Sequence, residues 1–400
     1  MFKFGAIPYS IFMKHTQIHG LCLGMALSLQ AAQGQSPAIP IVDEVGTPQF
    51  ASIPGTTPLA GARTIPHWSF NATDPSNGQT YQLTMVGADP AAATSTTIAS
   101  EIIPLKLNFA NGATLDGTAH VSAVVASPIF SDHAYSSQMA GGDVSQYGDV
   151  FMRAQFNRIG TGYHVKLGAP TILATVTIDV PRNQGLAVQT RAGVLAGLVD
   201  ANWFSSRLQQ LLGQLRIDPT TIPVFLTDNS MLYLGHNPQN CCIIGYHGAP
   251  APTVKGAGDE NSQGNASVQT YIYAAYSRPG TFGGGGAGIQ DIHVLSHEVA
   301  EWCDDPYGNN LVQPWLTPTA PQYGCTPVLE VGDPVVGIWF GLSGNPDPQA
   351  VPLNDWHPED AVFWPWFLRH SPSSSFDMHY TFMGSDNPFP GFKVPATGCN

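Results

Sequence analysis

The chain has 400 residues, enough for one large or two medium domains with a sizeable buried core. Only 11% of the residues are charged, whereas glycine (42) and proline (34) are abundant, a composition typical of loop-rich, β-rich extracellular proteins. The net charge of −13 argues against nucleic acid or an anionic membrane surface as a partner, because both are negatively charged.

Residues 1–35 have the pattern of a signal peptide. Lys3 and Lys14 supply positive charge before an apolar run from Leu21 to Ala32, and small residues suited to signal peptidase follow. This run is too short to span a bilayer, and no later stretch of about 20 apolar residues exists. We therefore predict a secreted chain, extracellular or periplasmic, without a membrane span.

A Pro-rich leader (36–66) precedes a segment, 67–183, that has the pattern of a β-rich domain. Short β-branched or alternating runs are separated there by Gly, Asp, Asn and Pro: YQLTMVGA, IIPLKLNFA, HVSAVVAS, YHVKLGA and TILATVTIDV. We expect a sandwich-like domain that serves as a scaffold or binding surface.

The character of the sequence changes beyond Pro181 to Gly185, so we predict a second domain over 186–400. Residues 187–215 have helical apolar spacing, and three strands are predicted: IPVFLTDNSMLYLG, CCIIGYHG and VQTYIYAAYS. The glycine run 283–286 lacks the Lys-Ser/Thr of a phosphate loop and is interpreted as a mobile connection. From Gly308 onward the chain is mostly loops, and the predicted fold class is α+β.

The segment DIHVLSHEVAEWCDDP (291–306) predicts a helix. Asp291 is placed to cap its N-terminus, and Asp305-Pro306 ends it. One apolar stripe follows from the 3, 4 and 3 spacing of Ile292, Leu295, Val299 and Trp302.

Another face of this helix carries the pattern HExxE. By analogy with HExxH, His297 and Glu301 would bind a metal from one helical turn, and Glu298 would be the general base that activates water. His293 lies on the same face, one turn earlier. The chain has only seven glutamates, so chance produces this pattern in well under about one in a hundred such sequences. The opposing interpretation is an exposed, charged helix face.

A catalytic site usually has three protein ligands, so a third must come from elsewhere. Glu330 in PVLEVGDP is our first choice, Asp333 the alternative and His293 the third choice. Asp305 is a candidate to bind the ion or to orient His297. His247 in GYHG could reach the cleft, although an isolated histidine is more often structural.

Zinc is the predicted ion, because HExxE resembles the helix of zinc hydrolases. Glu301 adds a second negative charge, which weakens the power of Zn²⁺ to acidify water and also suits Mn²⁺ or Ca²⁺. The alternatives are therefore a slow site, a site for another metal or a structural site.

Five cysteines remain after removal of the signal peptide, an odd number that leaves one free or intermolecular. They are Cys241, Cys242, Cys303, Cys325 and Cys399. We expect Cys303 to pair with Cys325, which would join the metal helix to the following segment.

The order of helix, strands, glycine loop and HEVAE resembles the catalytic domain of zincin metallopeptidases. More narrowly, CCIIGYHG, SHEVAEWCDDPYGNN and CTPVLEVGDP are similar in order and spacing to the exordium-like (phosphate-induced) secreted proteins and their bacterial relatives. The resemblance covers residues 220 to 340. The zincin resemblance implies an edge strand before the helix that holds an extended peptide. The exordium-like resemblance implies an extracellular location.

The leading hypothesis is a secreted zincin-like metallohydrolase that acts on a peptide or protein. The alternative is a non-enzymatic secreted binding protein whose ion stabilises the fold. A third hypothesis, a carbohydrate-binding or wall-associated protein, rests on the tryptophan content, although aromatic residues are more often core.

Overall fold

The computed structural model describes residues 38–42, 45–46, 49–50, 55, 58, 60–250, 267–282, 288–317, 324–384 and 399. The predicted signal peptide (1–35) and the glycine run 283–286 lie outside the described residues. Among the described residues no helix is long and apolar enough to cross a membrane.

Strands dominate the molecule and confirm a mixed α+β chain. They are β1 (Ile41–Val42), β2 (Gln49–Phe50), β3 (His67–Thr73), β4 (Thr80–Val86), β5 (Ser95–Phe109), β6 (Thr114–Asp116), β7 (His133–Ala134), β8 (Val144–Ser145), β9 (His164–Leu167), β10 (Thr171–Ile172), β11 (Val176–Val180), β12 (Gly185–Thr190), β13 (Leu195–Asp200), β14 (Thr221–Asp228), β15 (Ser230–Tyr233), β16 (Cys241–Gly248), β17 (Tyr271–Tyr276), β18 (Leu311–Leu316), β19 (Cys325–Val328), β20 (Leu342–Ser343) and β21 (Asp355–Trp356).

Thirteen of these strands form one large sheet. Its main path runs β1-β12-β13-β15-β16-β17-β14-β5-β10, while β2 pairs with β16, and β6, β9 and β11 pair with β5. Strand β5 comes from the predicted β-rich segment and pairs in parallel with β14, which comes from the predicted metal-binding segment. Both segments therefore contribute to the same sheet.

Within the described ranges, six α-helices accompany the strands: α1 (Val121–Ala126), α2 (Ser137–Ala140), α3 (Tyr147–Gln155), α4 (Ala201–Gln214), α5 (His293–Asp304) and α6 (Trp364–Phe367). Two predictions fail here. The run HVSAVVAS was predicted as a strand because of its valines, but the Asp116 carboxylate accepts from the Thr118 N–H and begins a 3-10 turn that leads into α1. The helix predicted from Ala187 begins only at Ala201, where Asp200 caps it, because the preceding residues form the paired strands β12 and β13.

Helix α5 is buried along its whole length and packs on β16, β17, β4 and α3. The predicted apolar stripe is buried, and the helix ends before Asp305 as expected. Asp291 is not the N-cap, since Ile292 occupies that position without a side-chain cap. The Asp291 carboxylate instead accepts from the backbone N–H of His357 (3.1 Å) and from its Nδ1–H (2.7 Å). It therefore fastens the C-terminal region to the start of the helix.

Strand β17 directly precedes α5 in the fold and lies between β16 and β14, hydrogen-bonded on both sides. The zincin resemblance implies that this strand lies at an edge of the sheet, and that prediction is wrong. An extended peptide cannot pair with β17 while the sheet is intact.

The predicted Cys303–Cys325 pair is also wrong. Disulfides join Cys325 to Cys399 and Cys241 to Cys242, which leaves Cys303 as the free cysteine of the described residues. The thiol of Cys303 is buried on α5 and faces Gly148 of α3 rather than β19.

We predict that digestion under non-reducing conditions yields a peptide pair that links Cys325 to Cys399. Cys303 should become alkylated only after denaturation, because its side chain is buried. Mass spectrometry of the linked peptides measures both outcomes. A Cys303→Ser variant is the control and should retain the same linkage, whereas a Cys303–Cys325 peptide would contradict the structure.

Candidate metal centre

Helix α5 carries its predicted site residues into the interior. His297 and Glu298 are 0% exposed and Glu301 is 2% exposed. An exposed charged helix face is thereby excluded. Buried carboxylates need a counter-charge or hydrogen-bond donors, so their surroundings determine what the site does.

A first group of donor atoms comprises His297, Glu301 and Asp333, whose ligand atoms all lie within 4.8 Å of one another. His297 Nε2 lies 3.0 Å from Glu301 Oε1 and 4.0 Å from Asp333 Oδ1. The Asp333 side chain is 27% exposed, so this group opens toward solvent on the Asp333 side. Asp333 was the predicted alternative to Glu330.

A second group comprises His247, Glu298 and Glu301, again within 4.8 Å of one another. His247 lies on β16, and its Nδ1 is 3.4 Å from Glu298 Oε2 and 3.6 Å from Glu301 Oε2. The register of β16 on β17 places this imidazole against α5. His247 therefore reaches the site, as the sequence analysis considered.

Glu330 belongs to neither group. It is 3% exposed, and neither carboxylate oxygen has a hydrogen-bond partner among the described residues. Burial, followed by the nearby Glu301 carboxylate, raises the pKa of Glu330 well above its ordinary value. It therefore lies near the donor atoms without completing either group.

Each imidazole is held at the nitrogen that points away from the donor atoms. His297 Nδ1 donates to Glu359 Oε2 at 2.5 Å, and His247 Nε2 donates to the backbone carbonyl of Asp305 at 3.0 Å. Such partners fix the tautomer and ring orientation of metal-binding histidines. Asp305 therefore orients His247 through its backbone, not His297, while its carboxylate accepts from the N–H groups of Asn309 and Asn310.

Glu359 is the residue that the sequence analysis missed. Besides His297, it accepts from the Gly337 N–H at 2.9 Å and lies 3.3 Å from His293 Nε2. His293, the third-choice ligand, thus contacts Glu359 and lies outside both donor groups. The available signal was HPED, which places one of seven glutamates beside a histidine in the Trp-rich region.

Opposing effects act on the pKa values of the carboxyl groups in the site. Burial raises the pKa of Glu298, and partial burial followed by the nearby Glu301 carboxylate raises the pKa of Asp333. Burial also opposes ionisation of Glu301, but the imidazoles of His297 and His247 hold its pKa below the ordinary value. A divalent cation would neutralise this carboxylate-rich set. The imidazole and carboxylate donors of the set fit zinc or manganese.

Two glycines allow the elements of the site to meet. A Cβ on Gly332 would lie 2.3 Å from His297 Nδ1, and one on Gly245 would lie 2.6 Å from Glu298 Oε1. Gly332 also donates its N–H to Glu301 Oε1 at 3.2 Å. Both positions need glycine for close approach rather than for a special backbone conformation.

Comparison with known proteins finds no match, so the interpretation of the site depends on its geometry. No protein-family model, no curated protein and no solved structure matches the chain. The zincin-like and exordium-like resemblance therefore stays a prediction.

We predict that Gly332→Ala lowers the free energy of unfolding by about 1–3 kcal/mol through overpacking against His297. Gly332 has φ −84°, which alanine adopts freely, so the effect would come from the close approach alone. Chemical denaturation measures it. The matched control is Gly213→Ala at an exposed position of α4, where a Cβ meets no described atom within 4 Å; it should not destabilise. Equal stability of Gly332→Ala and the parent would contradict the packing described here.

Proposed function

We propose that this protein is a secreted, metal-dependent hydrolase with peptides or proteins as its substrate class. The proposal rests mainly on Glu298. Its carboxylate is fully buried beside the first donor group, and neither oxygen has a hydrogen-bond partner among the described residues. A structural carboxylate would be expected to be satisfied, whereas a general base must keep an oxygen available for a proton.

His297, Glu301 and Asp333 would hold the ion in this proposal. Three protein donors and one open position are the usual arrangement of a catalytic zinc site. The partial exposure of Asp333 supplies the open side. Zn²⁺ is the ion we propose, and Mn²⁺ is the competitor that the carboxylates favour.

When bound, the ion would acidify water and polarise a carbonyl group. The chain's own residues supply the rest. Glu298 takes the proton from water, and Glu359 keeps His297 in the orientation that directs Nε2 toward Glu301 and Asp333. The buried surroundings of Glu298 raise its pKa and so bring its basicity closer to that required of a base near neutral pH.

The substrate class and the location have separate support. Peptide bonds are proposed as the target because of the HExxE arrangement on α5. The substrate would not pair with β17, because that strand has no free edge. Export is proposed from the pattern of residues 1–35. Two disulfides are typical of a chain that matures in an oxidising compartment.

A second candidate function is a non-enzymatic binding protein with a structural ion. The near-complete burial of His297, Glu298 and Glu301 favours it, because catalytic ions must be reached by substrate. In that case removal of the ion would lower the melting temperature, and no peptide or ester would be hydrolysed.

We predict that Glu298→Gln lowers hydrolysis of a fluorescently labelled casein by about 10²–10⁴-fold, because glutamine cannot accept the proton. With one equivalent of zinc supplied, bound metal measured by elemental analysis should be unchanged. Glu101→Gln, on β5 outside the site, is the control and should keep full activity. Undiminished hydrolysis by Glu298→Gln would contradict the role of Glu298 as general base. Absence of turnover by the parent protein would favour the binding protein with a structural ion.

A further inference from the structure

Glu301 faces two different histidines with its two oxygens. Its Oε1 lies 3.0 Å from His297 Nε2, and its Oε2 lies 3.6 Å from His247 Nδ1. The two imidazoles come from different elements, α5 and β16, and each faces a different oxygen of the carboxylate. In the first donor group, Oε1 is the Glu301 oxygen that contacts His297.

The tautomer of His247 is fixed by its environment. A backbone carbonyl can only accept, so the hydrogen bond to Asp305 places a hydrogen on Nε2. In the neutral ring, Nδ1 then directs its lone pair at Glu298 Oε2 and Glu301 Oε2. These three atoms attract one another only when a positive charge, either a proton on Nδ1 or a cation, lies between them.

Several buried polar atoms around this point are not satisfied by the part of the chain that the structure describes. His247 Nδ1 and both oxygens of Glu298 have no hydrogen-bond partner among the described residues, and both side chains are 0% exposed. The buried carboxyl group of Glu330 lies close to His247 and is also without a hydrogen-bond partner among the described residues. Unpaired buried groups of this kind call for an explanation such as an ion.

We propose that His247, Glu298 and Glu301 form a second divalent-cation site, with Glu301 as a carboxylate that bridges it to the first. This inference rests on the proposed function, because the second ion would share Glu301 with the ion proposed there. Ions joined in this way in two-metal sites lie roughly 3.5–4 Å apart. One imidazole with two carboxylates suits Zn²⁺ or Mn²⁺.

Occupation of the second site would inhibit hydrolysis. An ion held by Glu298 engages the carboxylate that otherwise accepts the proton from water, so the base is lost while the first ion stays in place. The first equivalent of metal therefore activates, and the second inhibits. Activity would fall by about 10²-fold or more as the second site fills, which is the usual contribution of a general base.

Equilibrium dialysis against Zn²⁺, followed by elemental analysis, tests the second site without relying on activity. The parent protein should bind two equivalents, His247→Gln one, and Glu301→Ala none. His236→Gln is the matched control for adventitious zinc, because that histidine is 69% exposed, and it should still bind two.

The outcomes separate the two proposals. One equivalent in the parent protein, lost in Glu301→Ala, would overturn the second site and leave the proposed function standing. No bound zinc in the parent would overturn both. Dialysis of the parent alone decides the stoichiometry if His247→Gln does not fold. With casein as substrate, folded His247→Gln should escape inhibition by excess zinc, and inhibition equal to that of the parent would contradict the role of His247.

Discussion

The carboxylate of Glu301 is the contact on which the rest of the site depends. It meets His297 from its own helix, His247 from β16 and the Gly332 N–H from the segment after β19. Three elements distant in sequence thus converge on one buried negative charge. Burying that charge is costly unless it is paired, so the surrounding polypeptide is arranged to supply positive charge or a cation at this point.

A layer of fixed partners surrounds this contact and extends the site into the C-terminal region. Glu359 holds His297, and the Glu359 N–H in turn donates to Ser296 Oγ on α5 at 2.8 Å. The neighbouring His357 is bound by Asp291 at the start of the same helix. The loop-rich tail is therefore part of the centre, because it fixes both the position of α5 and the direction of its histidine.

The sequence predicts the parts of the site that are local. HExxE with its apolar stripe determines a buried helix, and alternating runs such as YQLTMVGA determine strands. What the sequence does not determine depends on tertiary pairing. Glu359 and His247 lie 62 and 50 residues from His297, and no local pattern states that they converge on it. Similarly, the valines of α1 match a strand, and the Cys325–Cys399 disulfide spans 74 residues. Local propensity does not encode such contacts.

The replacement of the second histidine of HExxH by Glu301 has a structural consequence that charge alone does not capture. An imidazole would offer the ion one nitrogen, and its other nitrogen would need a partner of its own. A carboxylate offers two oxygens, and here each faces a different histidine. The carboxylate at this position therefore connects β16 with the donor atoms of α5. The residue that weakens the acidifying power of a single zinc ion is the same one that allows two neighbouring donor groups to share a ligand.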